Sequence, residues 1–214
     1  MTPPLLPTAY LPSVAYLSIL SRYSSVVIEQ KETFPKQTFR NRATIATGNG
    51  PLMLHVPVAR PHGNHSRTED IMLSYHEPWH IRHWRAIVSA YSAAPYFLYY
   101  RDDLEAILLQ PHTHLIELNH ALLCYLLQKL HIECELTYSH DFIHPSPPDL
   151  RISLVHKHSF PPQHPEAFIP YPQVFDTRNG FLPNLSAIDL LFNLGPQART
   201  MLTQNSLQDF DLPE

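Results

Sequence analysis

Leu5-Leu6-Pro7-Thr8-Ala9-Tyr10-Leu11-Pro12-Ser13-Val14-Ala15-Tyr16-Leu17-Ser18-Ile19-Leu20 changes its hydrophobic period halfway along. Leu5 to Tyr10 reads as a short buried strand. Pro12 at a first helical position, where its missing N–H costs nothing, then starts an apolar-periodic segment through Val14, Leu17, Ile19 and Leu20. A strand, a loop and a helix in that order set the class as α/β. Val26-Val27-Ile28 follows as a second β-branched run. Ala43 to Thr47 and Leu52 to Val58 flank Gly48-Asn49-Gly50, whose glycines tolerate the positive φ of a hairpin turn. Ile71 to Ser74 reads as an edge strand.

Helices dominate the middle of the chain. Pro78 starts one that runs to Tyr91, Pro95 starts another to Leu109, and Leu115 to Leu130 carries a dense apolar stripe. Cys134 to Tyr138 returns to strand. Ser186 to Phe192 forms a last helix, continued from Gln197 to Leu202. The expected architecture is a single mixed α/β domain over residues 1–204, with a short-strand sheet, a β-hairpin and about five helices. Residues 143–173 hold many prolines and no glycine, which predicts an extended segment wrapping the body. Residues 205–214 are expected to be a flexible tail.

Composition removes several function classes. Lys plus Arg number 15 against 19 Asp plus Glu, a formal charge of −4, so a general nucleic-acid coat is not expected. There are 22 prolines and only 5 glycines, at positions that spell neither GxGxxG nor GxxxxGK[ST]. Classical dinucleotide and P-loop chemistry fall away. The apolar stretch from Leu5 to Leu20 lacks the basic flank of a signal peptide, and no window approaches a membrane span. A soluble cytoplasmic chain with Cys124 and Cys134 as free thiols is the reading. No cofactor is implied, and oligomeric state is not legible.

Three constellations carry chemistry. Lys36-Gln37-Thr38-Phe39-Arg40-Asn41-Arg42 sets three cations within seven residues. Guanidinium forks and a lysine point charge suit carboxylate or phosphate, and alternation places Arg40 and Arg42 on one face. The alternative is a solvated strand edge. In Trp79-His80-Ile81-Arg82-His83-Trp84-Arg85, His80 and His83 share a helix face, but no HExxH and no third ligand accompany them, so no metal is expected. His83 lies on the Trp79 stripe, either as a satisfied core histidine or as a proton carrier kept neutral by desolvation and by Arg82 or Arg85. The pairs His62 with His65, His112 with His114, and His156 with His158 read as surface histidines. Finally, Ser186 and Asp189 have the spacing of a capping box, and the same helix start, with Asn184, is a ready site for an anion.

Taken together, Leu6 to Tyr16, Lys36 to Arg42, Trp79 with His83, Ala90-Tyr91 with Pro95-Tyr96-Phe97, Tyr171-Pro172-Gln173-Val174-Phe175 and the closing run Phe181 to Pro196 resemble the WbqC-like family. The closing run is the most specific part. Thr8-Ala9-Tyr10 and Ala15-Tyr16 stand where many members have Gln-Pro-Tyr and Gly before the next Tyr, which resembles the Bacteroidetes branch. The resemblance implies a role in bacterial surface-polysaccharide biosynthesis, O-antigen or capsule, as a group transferase acting on an activated or amino sugar. The alternative is a non-catalytic module that binds an anionic nucleotide sugar. The expected site gathers Tyr10, Tyr16, Lys36, Arg40, Asn41, Arg42, Gln173, Asn184 and Ser186 for substrate, with His83 and Asp189 for catalysis, in one cleft.

Overall fold

The computed structural model describes residues 3–145, 149–151, 162 and 164–205. Strand β1 (Leu5–Pro7) leads through a loop to helix α1 (Val14–Leu20) and back to β2 (Ser25–Glu29). The expected first strand is shorter than its apolar run, because Leu11 takes φ +40° and turns the chain. Pro12 lies before the helix rather than at its first position; Ser13 is the cap, its hydroxyl accepting from the Tyr16 N–H. A hairpin follows, β3 (Arg42–Thr47) against β4 (Gly50–His55), in the register Thr47↔Gly50 to Arg42↔His55. Of the two turn glycines only Gly50 takes a positive φ. Short strands β5 (Val58–Ala59) and β6 (Met72–Leu73) pair with each other.

Three helices then pack in sequence: α2 (Trp79–Tyr91), α3 (Phe97–Leu109) and α4 (Leu115–Lys129). Their boundaries match the expected ones to within a few residues. At the start of α4, Glu117 reaches back to accept from the N–H groups of His114 and Thr113, a cap the sequence reading did not include. Strand β7 (Glu135–Tyr138) completes a parallel sheet of order β1-β2-β7, with Leu6 opposite Ile28 and Ile28 opposite Tyr138. One-turn helix α5 (Asp176–Asn179), α6 (Ala187–Leu194) and α7 (Ala198–Gln204) close the fold. Gly195 separates the last two at φ +53°, where a Cβ would lie 2.5 Å from the Tyr96 ring. The left-handed Gly195 and the Pro196 after it break the helix, so the expected last helix is two. Thus a single α/β domain holds the sheet, the hairpin and the helices foreseen, plus α5 and the separated α7.

The core joins the sheet to these helices. Trp84 stacks on Phe97, and Phe97 meets Phe192 edge-on at 5.1 Å. The starts of α1 and α6 are stitched together: Val14 N–H donates to the Leu185 carbonyl, Ala187 N–H to the Pro12 carbonyl, and Ala15 N–H to Asn184 Oδ1 across 169 residues of chain. Of the proline-rich stretch, 146–148, 152–161 and 163 lie outside the described residues, with His156 and His158, as does the tail at 206–214.

Candidate functional site

Two polar networks take shape where one cleft is expected. The first lies between the hairpin and α2. The Tyr10 hydroxyl is 2.9 Å from His83 Nδ1, and both side chains are buried beneath Trp79, whose ring centroid is 5.2 Å from that of His83. Burial pushes the Tyr10 phenol well above its ordinary range, so it holds its proton and donates it to Nδ1. Desolvation, then the nearby His55, pull His83 down to about 4, while a hydrogen bond with the His55 backbone works the other way. His83 is therefore neutral at pH 7. The direction and its leading cause, desolvation, agree with the sequence reading; the charged neighbour differs, being His55, while Arg82 points to solvent and pairs with Glu77 at 2.7 Å.

His55 escaped the sequence reading. It is exposed at the end of β4, opposite Arg42, and its Nε2 accepts from Asn41 Nδ2 at 3.1 Å. Partial burial and the Arg42 charge lower its pKa, so it too is neutral. Counting the hairpin register back from its glycine turn would have found it. Beside it lies a shallow depression lined by Gln37, Thr38, Phe39, Arg42 and Met53. Gln37 takes φ +59° there, a conformation that a residue with a Cβ adopts at a cost. Around this point several buried polar atoms have no protein partner: Thr38 Oγ1, Asn41 Oδ1, Arg42 Nε and Trp79 Nε1.

The cations do not converge as expected. Arg40 is buried, and its Nε donates to Glu32 Oε1 at 2.8 Å. Its carbonyl accepts from Asn119 Nδ2, which also donates to Thr8 Oγ1. Arg40 and Arg42 therefore do not share a face: Arg40, two residues before the strand, turns inward to a carboxylate, and Arg42, its first residue, turns out to the depression. Lys36 is exposed on the same loop. Tyr16 is buried, its hydroxyl donating to the Pro7 carbonyl at 2.8 Å, so its ring is not free to stack on a ligand.

The second network centres on Asp189, which is wholly buried. Its Oδ2 accepts from the Tyr171 hydroxyl at 2.7 Å and from Gln173 Nε2 at 3.0 Å. The Tyr91 hydroxyl, which accepts from Ala46 N–H, also favours the charged carboxylate. Burial outweighs these donors and raises Asp189 to about 6. Gln173 additionally brackets Leu182, donating to its carbonyl and accepting from its N–H. The expected capping box is absent, because Asp189 turns inward and the Ser186 hydroxyl makes no hydrogen bond. The anion site expected there is closed as well. Ser186 N–H donates to the Thr44 carbonyl, Ala187 N–H to Pro12, and Asn184, at φ +55°, is engaged by α1.

The structure thus joins Tyr10, Asn41, Arg42 and His83 in one place and Gln173 with Asp189 in another. His83 and Tyr91 sit near opposite ends of α2, eight residues and about 12 Å of helix apart. Among the described residues no group of three or more His, Cys, Asp or Glu could hold a metal, and no helix is long and apolar enough to cross a membrane. His80 packs against Tyr75 and Trp79 instead.

An α/β domain with a buried neutral histidine behind a rim of Arg42 and His55 is the class that fold and site define. The chain belongs to the WbqC-like protein family, whose family model matches residues 8–159. That span contains Tyr10, Asn41, Arg42, His55 and His83 and ends before Gln173 and Asp189. The chain is also 31% identical over 134 residues to Uncharacterized protein Rv1507c of Mycobacterium tuberculosis, covering 62% of this chain. The matched part spans only 58% of that relative's length. No solved structure matches the chain.

Proposed function

We propose that the chain is a cytoplasmic group transferase of bacterial surface-polysaccharide biosynthesis, acting on an anionic activated sugar of the nucleotide-sugar kind. Arg42 and Lys36 hold the anionic group at the rim of the depression, Asn41 and His55 orient the ligand, and His83 takes up the proton released in the transfer through Tyr10, whose hydroxyl gives its own proton to Nδ1 as it accepts the released one. The observation that carries the reading is His83: an imidazole lowered to about 4, bonded at 2.9 Å to a protonated phenol, directly behind Arg42 and His55. A neutral imidazole can take a proton at neutral pH, and an arginine outside it supplies the charge that anionic ligands need.

A second reading, a binding module without turnover, is favoured by one specific observation: His83 is only 7% exposed and its Nδ1 is already engaged. One experiment separates the two. Calorimetric titration with a panel of nucleotide sugars first identifies a ligand, and its conversion is then followed for the natural chain and for His83→Gln. A transferase keeps its affinity within about 1 kcal/mol and loses turnover by roughly a hundredfold in the variant. A binding module shows the same affinity in both proteins and no conversion in either. If no anionic sugar binds, both readings fail.

A further inference from the structure

On the outer face of α4, away from both networks, Cys124 and His120 stand one helical turn apart. Cys124 Sγ is 3.4 Å from His120 Nε2, and His120 Nδ1 is 2.7 Å from the Tyr138 hydroxyl on β7. The imidazole and the Tyr138 ring also meet edge to face, with centroids 5.6 Å apart. A thiol, a base within reach of it, and a third group from a different element that fixes the base are the parts of an activated nucleophile. Both Cys124 and His120 are exposed, so an external molecule can reach the sulfur.

The proton positions follow from the neighbours. Burial raises the Cys124 thiol above its ordinary value, so the sulfur rests protonated and donates towards Nε2. The ring proton then sits on Nδ1 and is donated to the Tyr138 oxygen. Cys134 offers an internal contrast: it is half-buried between Glu133 and Glu135, and its sulfur meets only the Glu135 carbonyl, at 3.9 Å. Burial raises its thiol as it does that of Cys124, but its setting supplies no base.

We propose that Cys124 is a site of thiol–disulfide exchange, with His120 as its base and Tyr138 as the residue that positions His120, and that its co-reactant is a low-molecular-weight disulfide. The Cys124 sulfur attacks one sulfur of the disulfide as its proton passes to His120 Nε2. The small disulfide's S–S bond breaks, a mixed disulfide forms on Cys124, and the departing thiolate takes the proton from His120. One disulfide and one protein thiol thus become one mixed disulfide and one small thiol, with no external oxidant.

The test incubates the full chain with oxidised glutathione and follows adduct formation at each cysteine by peptide mass mapping. Cys124 is expected to be modified at least tenfold faster than Cys134. His120→Gln is expected to slow Cys124 about tenfold, and Tyr138→Phe by a smaller factor, while the Cys134 rate stays constant and so reports an intact fold. Equal rates at the two cysteines in the natural chain, or an unchanged Cys124 rate in His120→Gln, would overturn the proposal.

Discussion

The networks around His83 and Asp189 are built from similar parts, a buried titratable group and a tyrosine hydroxyl, yet they differ in what surrounds them. At Asp189 the network is shut off from solvent: Gln173 engages both ends of its amide, and the carboxyl is entirely buried, with its Oδ1 and the Ser186 hydroxyl left unpartnered inside the fold. At His83 the inner pair is closed, while the rim holds Asn41 Oδ1, Arg42 Nε and Trp79 Nε1 without protein partners, next to an exposed histidine and a surface depression. A closed polar network fixes a fold, whereas one left open at its edge has room for a ligand.

The sharpest way to break this contrast is to remove Asp189. Asp189→Ala strands the Tyr171 hydroxyl and the Gln173 amide, and unpaired buried donors cost about 1–3 kcal/mol each. Unfolding by denaturant is expected to show a loss of about 3–4 kcal/mol for Asp189→Ala and much less for Asp189→Asn, which keeps an acceptor in place. Equal losses in the two variants would mean that the network contributes packing alone.

The same two groups act on stability in opposite directions over one pH range. Asp189 is raised to about 6 in the folded chain, so its contribution is complete below the unfolded carboxylate value near pH 4 and is lost as pH rises to about 6. His83 is lowered to about 4, so its contribution is complete above the unfolded imidazole value near pH 6.5 and is lost as pH falls to about 4. Each change is on the order of 3 kcal/mol and the two largely cancel. His83→Gln is therefore expected to leave a protein that loses stability as pH rises from 4 to 6, and Asp189→Asn one that gains it. Parallel curves for both variants and the natural chain would show that neither group is perturbed as described.

The smallest effect belongs to the rim. Arg42→Ala is expected to weaken an anionic ligand by about 1.5–3 kcal/mol, the worth of a charge-assisted hydrogen bond, with the melting temperature unchanged. Titration of that variant beside Asp189→Ala tests whether binding and stability divide between the two regions. A drop in melting temperature without a change in affinity would invert the assignment.

Much of the fold was legible in local sequence. Pro78 and Pro95 mark the approach to two helices, and Gly48-Asn49-Gly50 marks the hairpin turn, although the second strand runs Gly50–His55 rather than Leu52 to Val58. The site was legible only where its partners are near in sequence or follow from periodicity. His83 was visible from the Trp79 stripe, but its partner Tyr10 lies 73 residues away. Arg40 and Arg42 look alike in sequence, and no pattern announces that a loop carries Glu32 under the first and leaves the second free. Asp189 has capping spacing from Ser186, and only the strap bearing Tyr171 and Gln173 turns it inward.

The stitch between α1 and α6 bears on how the chain folds as it is made. Ser13 caps α1 locally, but the Val14 and Ala15 N–H groups take their acceptors from residues 185 and 184, so they stay without a protein partner until 169 or more further residues have been added. At about 5–20 residues per second this is on the order of 10–30 s of synthesis. For that interval the nascent apolar face of α1 must be shielded by something other than its native neighbours. A ribosome-associated chaperone is therefore expected to linger on nascent chains that carry residues 14–20 and to depart once the last helices emerge.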